Sequence, residues 1–156
     1  MEFNLSALLL TLGCCLISII IASKSGSNED KEWFKNLNHP DNALMLKFME
    51  KFGIVVYLLY GFILYYLFVS SAVVPIVTMI IILLIMGFSP LFLYRTKNLK
   101  MFFVANFIVF IPLPLLIFFL LQTNLILATV VIIYQLWIVY EMSYFYRLMK
   151  MNGQGF

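Results

Sequence analysis

Five long apolar runs leave this chain little choice of solvent. They are Leu5–Ala22, Gly53–Val69, Ala72–Tyr94, Met101–Leu121 and Leu125–Tyr146, each 17 to 23 residues long. About 20 residues of helix cross a hydrocarbon core of about 30 Å, and within one chain segment only a helix satisfies its own backbone there. The runs predict an all-α polytopic membrane protein, a single five-transmembrane-helix bundle over residues 1–156. With 64% hydrophobic and 11% charged residues, a chain of this length cannot hide its apolar surface inside one soluble core.

Five crossings place the segment after the first run, the segment after the third and the C-terminal tail in one compartment. Those three pieces hold all ten basic residues: Lys24, Lys31, Lys35, Lys47 and Lys51, then Arg95, Lys97 and Lys100, then Arg147 and Lys150. The positive-inside rule then predicts a cytoplasmic C-terminus and an N-terminus outside. The first run reads as a retained helix rather than a secretory signal, because its flank is Glu2 instead of a basic cluster and its apolar stretch is long. The net charge of +3 is interleaved with Glu29, Asp30, Glu32 and Glu50, which implies mild attraction to anionic headgroups and no nucleic-acid role. Cys14 and Cys15 are neighbours in the first run, cannot reasonably pair with each other, and read as small apolar groups.

One connection, residues 23–52, is long enough to carry recognition. It opens with Lys24-Ser25-Gly26-Ser27-Asn28-Glu29-Asp30, read as a flexible polar stretch, and continues through Trp33 to His39-Pro40. Asp41 or Asn42 is the expected N-cap of a second helix running from about 42 to 70, about 43 Å long. Its first turns set Leu44, Met45, Phe48 and Phe52 against Lys47, Glu50 and Lys51, an interfacial amphipathic pattern. Trp33, Leu37 and Pro40 are apolar or rigid residues in a charged segment. Their neighbours Lys31, Glu32 and Lys35 prefer water, so the expectation is a lid folded back on the helix ends.

The other connections are short, which predicts sequential antiparallel packing in an up-and-down bundle. Pro75 falls in the first turn of its span, where it costs little. Pro90, Pro112 and Pro114 lie inside spans and should kink them, freeing carbonyls that other groups must satisfy.

Tyr134, Trp137, Glu141 and Tyr144 recur at steps of three, four and three on one stripe of the fifth span. Tyr57, Tyr60, Leu64 and Phe68 form a comparable stripe on the second. Facing each other, the stripes would make a flat slot with a few polar anchors; the alternative is ordinary packing with interfacial tyrosines. Glu141 is the one ionisable side chain deep within a span, a costly placement that marks a functional candidate or an ion pair with Arg95, Lys97 or Lys100. His39, the only histidine, reads as solvent-facing or loop-packing, with pH sensing as the other option. No metal-ligand cluster, carboxylate pair or phosphate loop is visible, so nothing points to an enzyme, and both catalytic and metal sites are expected to be absent.

Trp33-x-x-x-Leu37-x-x-Pro40 directly after the first span resembles the first loop of the TspO/MBR family, the tryptophan-rich sensory and translocator proteins. Ser89 to Met101 and Tyr134-Gln135-Leu136-Trp137 resemble that family's third-helix exit and its fifth-helix Tyr-x-x-Trp. This chain departs from the family pattern in having Asp41–Met45 after the loop proline and only two tryptophans. The resemblance implies a bundle pocket for a hydrophobic small molecule, tetrapyrrole or haem-like, or sterol or lipid-like, with haem or protoporphyrin as the possible ligand. Trp33, Leu37, Pro40, Tyr57, Tyr60, Tyr134, Trp137, Glu141 and Tyr144 are the expected ligand-binding residues. The implied partners are the lipid bilayer, that molecule and a second copy in a homodimer; the competing class is an assembly partner of another membrane protein with no ligand.

Overall fold

The computed structural model describes residues 4–40 and 44–154, the side chains of 44–54 excepted. They form helices α1 (Leu5–Ser23), α2 (Asn28–Lys35), α3 (Leu44–Val69), α4 (Val73–Tyr94), α5 (Leu99–Phe110), α6 (Leu113–Thr123) and α7 (Leu125–Met151), with no strand among the described residues. The expected cap at Asp41 or Asn42 and the amphipathic face of Leu44 to Phe52 lie outside the described residues.

Asparagines set the helix starts. Asn4, Asn98 and Asn124 each accept, through the side-chain oxygen, the backbone N–H of Ala7, Met101 and Leu127 at 3.0–3.1 Å, satisfying a donor that a helix start leaves orphaned. The prolines act unequally. α4 runs through Pro90 without interruption; Pro90 has no N–H for the Met86 carbonyl, and the Ser89 hydroxyl donates to that oxygen at 3.1 Å instead. Pro112 and Pro114 do more than kink: α5 stops at Phe110 and α6 begins at Leu113.

Four helical stretches are long and apolar enough to cross a membrane: Leu5–Ser23, Val73–Tyr94, Leu99–Thr123 and Leu125–Met151; α3 adds a shorter apolar piece, Val55–Val69. Their outer surface carries large apolar side chains, among them Leu9, Leu58, Phe62, Phe107, Ile126 and Leu136. Such a coat is costly in water and ordinary in lipid.

Hydrogen bonds identify the two ends of the bundle. At one, the Asn4 N–H donates to the Tyr65 hydroxyl and the Tyr66 hydroxyl to the Thr123 carbonyl. At the other, the Asn38 backbone meets the Asn152 side chain, and the Gln154 side chain meets Leu99 and Lys97. The segment after α1, the turn after α4 and the C-terminal tail thus gather at one end, the three pieces in which the basic residues fall.

Two glycines permit the closest helix approaches. A Cβ on Gly87 of α4 would lie 3.0 Å from the Ser18 carbonyl oxygen of α1, and one on Gly61 of α3 would lie 3.0 Å from Cys15 Sγ. Small residues of this kind let membrane helices pack backbone to backbone. The main core joins Tyr60, Ile63 and Leu64 of α3 to Met79 and Ile82 of α4, Leu116 of α6 and Val131 of α7.

Candidate functional site

A second apolar cluster lies at the end where the basic segments meet: Phe34, Leu93, Leu99, Phe102, Tyr144, Phe145, Leu148 and Met149. Phe34 enters it from α2. The stretch read as flexible is helical because Ser27 and Asp30 form a reciprocal capping box: the Ser27 hydroxyl accepts from the Asp30 N–H, and an Asp30 carboxylate oxygen accepts from the Ser27 N–H at 2.9 Å. The Ser27 N–H, and the Ser27 hydroxyl, which also donates to that carboxylate at 2.9 Å, hold the Asp30 carboxyl below its ordinary value, and Lys97, 3.7 Å away, adds to the effect. Gly26 is needed at the entry to α2, since a Cβ there would lie 2.7 Å from Tyr94 Cβ.

Phe34 is only 3% exposed. Its ring stacks on Phe145 with centroids 6.1 Å apart and meets Tyr94 edge-on at 6.0 Å. Past α2 the chain folds under itself. His39 Nε2 donates to the Phe34 carbonyl at 2.8 Å, and Nδ1 is hydrogen-bonded to the Tyr144 hydroxyl at 2.6 Å. The Asn38 N–H donates to Asn152 Oδ1 at 3.0 Å, and Asn152 Nδ2 donates back to the Asn38 carbonyl at 2.9 Å. Pro40 is buried; Trp33 and Leu37 sit half-buried at the rim of the cluster.

The expected site residues fall into two groups. Tyr60, 1% exposed, meets Tyr134 edge-on with ring centroids 4.8 Å apart, and Tyr57 packs half-buried against the same core. Trp137 packs at the rim of the lidded cluster, 5.5 Å from the Tyr140 ring, and Tyr144 lies under His39. Glu141 stands between the groups, beside the Asn106 amide and near Tyr134. The cation considered for it is engaged elsewhere in the case of Lys97, which pairs with Asp30. Tyr134 and Glu141 are each partly buried.

A separate groove of about 490 Å³ runs along the outside between α4 and α5, lined by Leu84, Phe88, Phe92, Met101, Val104 and Ile108 with Lys100 among its walls. It is remote in composition from the tyrosine and carboxylate face of α7.

Iron-ligated haem is a poor fit through imidazole, because both ring nitrogens of the only histidine are already bonded. A tetrapyrrole held as a flat hydrophobe makes no such demand. No group of three or more His, Cys, Asp or Glu among the described residues is arranged to hold a metal ion.

Phe34, Asn38, Asn152 and Gln154 escaped the sequence reading. The Ser27-x-x-Asp30 spacing was the available signal for α2, and with it for Phe34 on the inward face; Asn152 and Gln154 carry no local signal. The chain matches no family model, no curated protein and no solved structure.

Proposed function

We propose that this chain is a multi-pass membrane protein with five crossings, its N-terminus outside and its C-terminus cytoplasmic, that holds a flat hydrophobic molecule between α3 and α7 beneath the docked segment Trp33–Pro40. On this reading it is a divergent relative of the TspO/MBR proteins. The fifth crossing is α3 from Gly53 to Val69, about 25 Å of helix, and its earlier turns lie in the interface.

The observation that carries the proposal is the fastened segment: His39 bonded to Tyr144 and Asn38 to Asn152 hold Trp33–Pro40 against α7, the helix that bears Tyr134 and Glu141. A largely apolar cavity with a few convergent polar groups is the usual form of a small-molecule site. A cover fastened by two backbone–side-chain bonds and a histidine is more than helix connection requires.

Tryptophan emission of the purified protein, titrated with protoporphyrin, its dimethyl ester and retinol, tests this. At least one should quench saturably, and Trp137→Phe should remove most of the signal. Linear, unsaturable quenching by all three would overturn ligand binding in favour of an assembly role.

A further inference from the structure

The groove between α4 and α5 faces outward, and its walls are apolar. Leu84, Phe88, Val104 and Ile108 are exposed along it, and the small Ala105 side chain deepens it. Lys100 is its one charged wall. Half-buried at the start of α5, this side chain can lay its methylene stem along the groove and bring its ammonium to the membrane surface. Phe92 and Lys100 stand near the ends of α4 and α5 that meet at the basic turn, and Leu84 and Ile108 lie eight residues deeper in their helices. The groove therefore runs about 12 Å inward from that turn at about 1.5 Å per residue. Half of a hydrocarbon core of about 30 Å is about 15 Å, so the groove follows the depth of one leaflet and opens onto it.

We infer that the groove holds one acyl chain of an anionic phospholipid from the leaflet at the basic end of the bundle, with the lipid phosphate beside Lys100. The inference goes beyond the molecule proposed between α3 and α7 and needs only that the bundle lies in lipid. Charge selects the occupant. Arg95, Lys97 and Lys100 fall within six residues, and residues 73–110 contain no Asp or Glu. Even with Asp30 of α2 set against Lys97 at 3.7 Å, the turn keeps a positive excess. Basic side chains next to a membrane helix draw anionic lipid heads, and the N-terminal end of α5 adds a dipole of the same sign. A zwitterionic lipid carries its own cation to the same place and gains less. A neutral hydrophobe would fill the walls and leave the ammonium without use.

Native mass spectrometry of the full-length protein in detergent, titrated with palmitoyl-oleoyl phosphatidylglycerol or phosphatidylcholine, tests head and chain separately. Phosphatidylglycerol should fill the first site about tenfold more tightly. Lys100→Gln should remove about fivefold of that preference, the effect of one cation near a charged surface, and Lys150→Gln, on α7 and outside the groove, should leave it intact. Val104→Trp fills the groove from an exposed position and should weaken both lipids about tenfold; if that variant does not fold, Ile108→Phe reads the same wall. Glycerophosphate, a head without a chain, should not displace bound phosphatidylglycerol. Equal affinity for the two lipids, or a preference that survives Lys100→Gln, would overturn the place given to the head. Unchanged binding in the groove-filling variants, or displacement by glycerophosphate, would overturn the place given to the chain. No saturable binding of either lipid would overturn the inference outright and leave the groove to a helix of another chain. The molecule between α3 and α7 is read by tryptophan quenching and stands or falls separately.

Discussion

Phe34→Ala tests whether the segment after α1 is a docked cover or merely lies over the helix ends. Phe34 is 3% exposed among Phe145, Tyr94 and their neighbours, and truncating a phenylalanine in such a place costs about 3–5 kcal/mol. The bonds that remain across the docked face include the Tyr144–His39 contact and the two between Asn38 and Asn152, together worth about 3 kcal/mol at about 1 each, with the exposed Asp30–Lys97 pair adding little. The cover should therefore stay mostly closed in the variant but open far more often. Taking the lower figure of about 3 kcal/mol, its open population rises about 100-fold at tenfold per 1.4 kcal/mol. Limited trypsin digestion after Lys31 and Lys35 reads that population when opening and closing outpace cleavage. Cleavage should accelerate about 100-fold in Phe34→Ala and recover most of the way in Phe34→Leu. Trp33→Ala, which removes a half-buried ring from the rim, should act more weakly, by about tenfold or less. An unchanged rate in Phe34→Ala, or a larger effect from Trp33→Ala, would refute the account of which residue anchors the cover.

Asn152→Ala removes both bonds to Asn38 and should speed release of a bound probe more than its capture, as expected for a cover rather than a pocket wall; stopped-flow displacement separates the two rates. Gly87→Ala forces a methyl to 3.0 Å from the Ser18 carbonyl and should destabilise the α1–α4 contact by about 1–3 kcal/mol, seen as a lower thermal midpoint of the purified protein. The Asp30 carboxyl is held below its ordinary value chiefly by Ser27, so its contribution to α2 is complete above that value and fades as pH falls through the lower native one. Hydrogen exchange at Lys31 to Asn36 should consequently quicken on acidification below about pH 4, and Asp30→Asn should flatten that response. A reporter active only in the cytoplasm should work when fused after Phe156 and fail before Met1; the opposite pattern would reverse the orientation drawn from the basic residues.

Four of the five apolar runs were legible as helices long and apolar enough to cross a membrane, because crossing imposes a length and a composition at once. The ends of α1 and α4 fall within a residue of where the apolar runs end, α7 continues past Tyr146 to Met151, and where α5 and α7 begin an asparagine cap coincides with the polar interruption. Pro112 and Pro114 were legible as disturbances and not as a break, since a single missing N–H can be absorbed within a helix, as Ser89 does beside Pro90, whereas two in three residues removed enough bonds to divide α5 from α6. α2 was missed for a different reason. Its six central residues, Glu29 to Phe34, are mostly charged, so no hydrophobic period announces a helix. The capping box at Ser27 and a single inward phenylalanine sustain it instead.

The placement of the candidate residues was legible where they repeat along one helix and illegible where distant segments join. Tyr134, Trp137, Glu141 and Tyr144 share a face of α7 by spacing alone, and Tyr60 against Tyr134 follows once α3 lies beside α7. Spacing cannot show that this face divides, with Tyr134 in the central core and Trp137 and Tyr144 under the cover, because which neighbour fills each turn depends on α2 and α5. His39 illustrates the same limit. A histidine before a proline in a polar loop carries no sign that it reaches Tyr144, 105 residues away, yet that bond ties the cover to the helix that bears Glu141. Glu141 is one turn from Tyr144 on α7. The His39 contact and the one carboxylate of α7 among the described residues thus stand on adjacent turns of one helix.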